Sequence, residues 1–197
     1  PAAAACLIIP EDIIRVLFER GAFGAEATAA TASALFAYAT GLPAYVLIRV
    51  LAPGFYARED TTTPVRIAIA AMVVNIALMI VLMKSMGHVG IALAASASAW
   101  LNTILLAVVL AQRGHFALDA RLRGRLPRIL LATAGMVGVL EIARQNLQFM
   151  LNAGTAEQVL GLAVLVGLGF AAYLAFAVVL RAAGLQDAKS MLKARDL

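Results

Sequence analysis

The sequence predicts an all-α polytopic membrane protein with about six transmembrane helices, and three observations carry that reading. Of the 197 residues, 63% are hydrophobic and 14% charged, with a mean hydropathy of +0.92. A soluble domain sits near half apolar and a quarter charged, and a chain of this length cannot bury such a surplus. Second, the apolar residues fall into runs close to the ~20 needed to cross hydrocarbon. Third, the basic residues gather mainly in the intervals between those runs. The runs are too long and continuous for barrel strands, which alternate. Disorder, a disulfide scaffold and a soluble nucleic-acid-binding domain are excluded.

Pro1 to about Phe23 reads as the end of one span, because its apolar run meets Glu11 after ten residues. No basic flank precedes that run, so it is not a signal peptide. A chain that begins inside a helix is expected to be part of something longer. Cys6 has no partner for a disulfide and reads as a small buried hydrophobe. Ala32 to Tyr56 is the second span, with Arg49 its one charge. Ile67 to Met83, Val89 to Ala111 and Gln158 to Leu180 carry no charge. Ile129 to Met150 is the weakest span, interrupted by Glu141 and Arg144. With six crossings both ends lie on one side. That side collects twelve of the sixteen Lys and Arg residues, and the other has Arg15, Arg20, Lys84 and Arg144. The excess predicts a cytoplasmic location for both ends. The net charge of +5 is therefore assigned to topology and anionic headgroups, not to nucleic acid.

The expected organisation is residues 1–112 as four helices, 113–128 as a basic loop, 129–181 as a final helix pair and 182–197 as a cytoplasmic tail. Helices packed in lipid need small side chains at their contacts. Ala94–Ala99 supplies them on one helix; Gly135 and Gly138, then Gly161, Gly167 and Gly169, supply them on the last two. Phosphate-loop, dinucleotide, zinc-protease and Cys-x-x-Cys motifs are missing. His88 and His115 fall on opposite membrane faces and cannot share a metal. No catalytic residue, metal or cofactor is predicted. Glu141 and Arg144, three apart, are expected to form a local ion pair. Asn75 and Asn102 are expected to hydrogen-bond to neighbouring helices.

Gly41-Leu42-Pro43 lies mid-helix, where Pro43 removes a backbone donor; Gly41 and Pro43 are the candidate hinge. Thr28, Thr31, Ser33, Tyr38, Thr40 and Tyr45 place hydroxyls along the same helix. The most specific stretch follows: Leu51-Ala52-Pro53-Gly54-Phe55-Tyr56-Ala57-Arg58-Glu59-Asp60-Thr61-Thr62-Thr63-Pro64-Val65. Pro53-Gly54 weakens one helix end, and Thr63 is placed to cap the next, with Pro64 at its first position. Arg58, Glu59 and Asp60 stand together as a candidate conformational latch.

That stretch resembles the signature of the MurJ/MviN lipid II flippases, in the multidrug/oligosaccharidyl-lipid/polysaccharide exporter superfamily. Val16-Leu17-Phe18-Glu19-Arg20-Gly21-Ala22-Phe23 resembles a second phrase of that family. The resemblance implies the C-terminal lobe plus the last two helices of a 14-helix exporter fold, in the bacterial inner membrane. It implies alternating access that moves undecaprenyl-diphosphate-linked peptidoglycan precursor from the inner to the outer leaflet. The arginines credited with diphosphate binding belong to helices preceding this chain, which are its expected partners together with membrane lipids. The final pair implies a lipid-tail groove, for which Gly135, Gly138 and Gly167 are the candidates. The alternatives are a drug or polysaccharide exporter of the same superfamily, or a non-transporting membrane scaffold.

Overall fold

The computed structural model describes residues 1–114, 120–151 and 154–180, and those residues form helices joined by short turns. In chain order the helices are α1 (Ala2–Ile8), α2 (Pro10–Phe18), α3 (Ala25–Leu51), α4 (Pro53–Tyr56), α5 (Thr62–Met86), α6 (His88–Gln112), α7 (Ala120–Leu151) and α8 (Thr155–Val179). Five are long and apolar enough to span a membrane: α3 with α4, α5, α6, α7 and α8. Arg181, Lys189, Lys193 and Arg195, on which the expected sidedness partly rests, lie outside the described residues, as does His115.

Two expectations change. The opening segment is not the end of a single helix but two short ones, broken at Ile9 (φ −121°, ψ 38°). Pro10 is the cause, because its ring pushes the preceding residue out of the α region. The basic stretch 113–128 is not all loop either, since α7 begins at Ala120 and carries Arg123, Arg125 and Arg128 in its first turns. An apolar run marks the hydrocarbon-crossing part of a helix, and nothing stops the helix from continuing into the headgroups.

The chain divides into two compact units. In one, α1 packs on α7, and α7 on α8. The first eight residues of the expected segment 1–112 thus group with α7 rather than with the rest of that segment. Ala132 and Ala177 meet at the α7–α8 contact, with Ile129, Tyr173 and Phe176 around them.

The second unit runs from Ile9 through α6. Here α6 is central, packed against both α3 and α5, while α2 lies on α3. Alanines at 32, 37, 39 and 44 of α3 are buried, as are Ala92, Ala94 and Ala99 of α6, so the two backbones approach closely. The corner between α5 and α6 is one residue, Gly87, at φ +57°, a conformation that favours glycine. In contrast α5 turns Ile69, Met72, Val73, Ile80 and Val81 outward, away from α6.

Candidate functional site

The Pro53–Pro64 stretch folds as a clasp joining three helix ends. The α3 backbone continues through Ala52, whose N–H donates to the Ile48 carbonyl, into the single turn of α4. That turn delivers Phe55 into a buried cluster with Leu51, Ile67, Leu106 and Leu110, so one ring contacts the ends of α3, α5 and α6. The chain then doubles back. Glu59 takes a positive φ of 59°, and the Asp60 N–H donates to the Phe55 carbonyl at 3.2 Å.

Asp60 is thereby aimed at the start of α5. Its Oδ1 accepts from the Thr63 N–H at 3.0 Å, one of the donors a helix start leaves unpaired. Its Oδ2 pairs with Arg113, the residue after α6. Arg113 also donates to the Thr63 hydroxyl at 3.0 Å, and its guanidinium lies 5.8 Å from the centre of the Phe55 ring. The expected cap is thus corrected: α5 starts at Thr62, Asp60 supplies the capping oxygen, and Thr63 receives it. Pro64 still falls in the first turn, where a missing N–H costs nothing.

Of the three expected latch charges, only Asp60 reaches another helix. Arg58 donates to the Gly54 carbonyl at 2.7 Å, within its own turn. Glu59 makes no ion pair among the described residues, and Tyr56 is exposed. Arg113 is the partner that local sequence patterns leave unmarked, 53 residues from Asp60. Its predicted sidedness, shared with Arg58, was the one available signal.

The Thr63 N–H, the Thr63 hydroxyl and the Arg113 guanidinium hold the Asp60 carboxyl well below the usual carboxylate range. A carboxyl lowered in the folded state contributes stability above its unfolded value, and that contribution is lost as pH falls through the folded one. Acidification below about pH 4 is therefore expected to lower the melting temperature of the native protein. Asp60→Asn should start lower at pH 7 and lose less on acidification, which melting curves at the two pH values will read.

The candidate hinge is held rather than free. A Cβ at Gly41 would lie 2.9 Å from the Ser96 Cα and 2.6 Å from its Oγ, so α3 touches α6 there. Around that contact Ser96 donates to the Ala37 carbonyl (2.8 Å), Trp100 to that of Thr40 (2.9 Å) and Thr103 to that of Ala44 (3.0 Å). His88 bonds the Ala30 carbonyl at 2.9 Å farther along the same seam. The helix is continuous across Pro43. Of the expected polar face, Ser33 and Thr40 donate to carbonyls of α3 itself, Thr28 to the Gly24 carbonyl just before it, and Tyr45 to the Ala95 carbonyl of α6 at 3.4 Å.

The three groove glycines do not come together. A Cβ at Gly135 would meet the Phe176 ring at 2.8 Å, which makes Gly135 a packing position in the α7–α8 contact. Gly138 and Gly167 face open space. Gly138 is two residues from buried Met136, and Gly167 two from buried Leu165, so each lies about 160° around its helix from that buried neighbour. Gly169 and Gly161 close the seam instead, against Leu140 and Met150. Glu141 and Arg144 do pair, at 4.0 Å. The Asn102 Oδ1 is buried without the hydrogen bond expected of it. No cluster of metal-ligating side chains occurs among the described residues.

A family model described as lipid II flippase MurJ matches residues 1–152. A probable lipid II flippase MurJ of Rhizobium tropici is 42% identical over 182 residues, 90% of this chain and 34% of the relative. One of Rhizobium meliloti (strain 1021) is 40% identical over 195 residues, 98% of this chain and 36% of the relative. One of Vibrio cholerae is 38% identical over 180 residues, 91% of this chain and 34% of the relative. The chain thus spans about a third of the length of these relatives. A solved structure of lipid II flippase MurJ in an inward closed conformation has the same fold. It matches with a TM-score of 0.72 at 24% identity, over 92% of this chain and 36% of that one.

Proposed function

The chain belongs to the lipid II flippase MurJ family, and from that premise we propose that it is the C-terminal part of a lipid II flippase. In this reading it acts in the bacterial inner membrane, carrying undecaprenyl-diphosphate-linked peptidoglycan precursor from the inner to the outer leaflet. The work is transport by alternating access, not catalysis. The observation that carries the reading is the family match together with the folding of its signature phrase into one three-helix clasp. A superfamily exporter of another cargo, or a scaffold, has no comparable reason to keep that phrase. The diphosphate site is assigned to helices outside these residues, whose lobe moves against this one.

Each part takes a role. The clasp faces the cytoplasm, as do both ends of the chain. Asp60 and Arg113 form the latch of one access state. An exposed pair contributes too little to hold a fold, yet a small bias is enough to shift a two-state ratio. The helix pair α7 and α8 carries the lipid tail on the open faces at Gly138 and Gly167, while Gly135 serves packing.

A chimera tests this. Residues 1–197 replace the matching third of the Rhizobium meliloti relative in cells depleted of their own flippase. The chimera is expected to restore growth, and residues 1–197 alone are not, since alternating access needs two bodies about one site. A chimera that inserts at normal levels yet restores nothing would overturn the assignment; rescue by residues 1–197 alone would overturn the need for a second lobe.

A further inference from the structure

We infer that one face of α3 lines a water-filled path for a phosphate-bearing ligand, and that Arg49 is the cation of that face. It would be a subsite of its own, besides the diphosphate site assigned to helices outside these residues. The second half of α3 has two exposed sectors. Val46, Leu47 and Val50 make an apolar one. Tyr38, Tyr45 and Arg49 make the other, and all three are exposed. Their spacings of seven and four residues put them within about 40° of one another around the helix. Tyr45 and Val46, consecutive residues, stand about 100° apart.

Lipid does not suit the second sector. Tyrosines of membrane helices gather at the interfaces, yet Tyr38 lies near the middle of the Ala25–Tyr56 span. Arg49 lies in the same span, two turns before its end, where a charge is costly unless it faces a cavity or a partner. On α5, by contrast, no exposed residue from Ala68 to Val81 is polar. Among the described residues Arg49 makes no hydrogen bond or ion pair. Asp60, in the clasp, is already committed to Arg113. The free guanidinium therefore calls for an anion from outside these residues, and its planar fork matches the paired oxygens of a phosphate. Tyr45, one turn away on the same face, rests its hydroxyl on the Ala95 carbonyl at 3.4 Å, a bond long enough to be given up. The identity of the ligand rests on the cargo proposed above; the water-lined face stands without it.

The test uses the intact protein in nanodiscs, with native cysteines replaced. Tyr45→Cys and Val46→Cys sit at one depth, and Val46 is the more exposed, 62% against 42%. A membrane-impermeant thiol reagent is nevertheless expected to label Tyr45→Cys much faster. Comparable rates, or faster labelling of Val46→Cys, would overturn the water-lined face whatever the cargo. Binding is then measured with undecaprenyl diphosphate and with uncharged undecaprenol. Arg49→Gln should weaken diphosphate binding about tenfold, as loss of a hydrogen bond to a charged group does, and leave undecaprenol unchanged. Arg49→Lys keeps the charge without the fork and should fall between. An equal loss for both probes, or no loss for either, would overturn Arg49 as the phosphate ligand. If Arg49→Gln fails to accumulate, Arg49→Lys carries the same comparison. A wild type that binds diphosphate no better than undecaprenol would overturn the proposed cargo and this ligand together, and the labelling rates would still decide the face.

Discussion

Phe55→Ala is expected to destabilise the native protein by about 3 kcal/mol, the low end of the range for a core phenylalanine. The ring is 1% exposed and touches residues from three helix ends, so its removal leaves a cavity that no single helix can shift to fill. The low end applies because lipid tails are as apolar as the side chain, which removes the transfer part of the loss. What remains is lost packing and the cation–π contact with Arg113, worth about 0.5–1 kcal/mol at an exposed site. Tyr56→Ala, next in sequence but 52% exposed, should fall within about 0.5 kcal/mol of wild type. Melting of the purified variants in one lipid composition measures both. A Phe55→Ala change as small as that of Tyr56→Ala would show that the cluster does not unite the helix ends.

The contrast between those two neighbours also marks what the sequence makes legible. A run of about twenty apolar residues has one physical reading, so each of the five spans falls on its own helix. Helix ends were less legible, because hydropathy records where hydrocarbon begins and not where hydrogen bonding stops. That is why α7 starts nine residues before Ile129. The clasp was visible as a phrase but not as a mechanism. Asp60 gains its meaning from Arg113, and no local periodicity connects residues 53 apart. Glycines show the same limit. Gly135 and Gly138 look equivalent in a list of small residues, yet the helix register turns one toward Phe176 and the other to open space. Pro10 carried a readable signal, the restriction on its preceding residue, which the surrounding apolar run concealed.

Gly41→Leu should be the most damaging substitution on α3. A Cβ there would stand 2.9 Å from the Ser96 Cα, closer than real Cβ contacts come, and that neighbour is backbone that cannot rotate aside. The helices must therefore separate, which adds the cost of overpacking, about 1–3 kcal/mol. Separation also lengthens the Ser96–Ala37 and Trp100–Thr40 hydrogen bonds, each worth roughly 0.6 kcal/mol within a membrane protein. The expected total is about 2–4 kcal/mol. Ser96→Gly removes the Oγ at 2.6 Å and the Cβ at 2.9 Å but leaves the Cα, so the double variant should regain only part of the loss. Gly167→Leu provides the matched control, because a side chain there meets nothing within 4 Å. It should alter melting by less than about 0.5 kcal/mol, and any loss of flipping it causes must come from what the open face of α8 binds. Equal destabilisation by Gly41→Leu and Gly167→Leu would mean that the α3–α6 contact is not the close one described. A stable Gly41→Leu protein with impaired flipping would instead return Gly41 to the role of hinge.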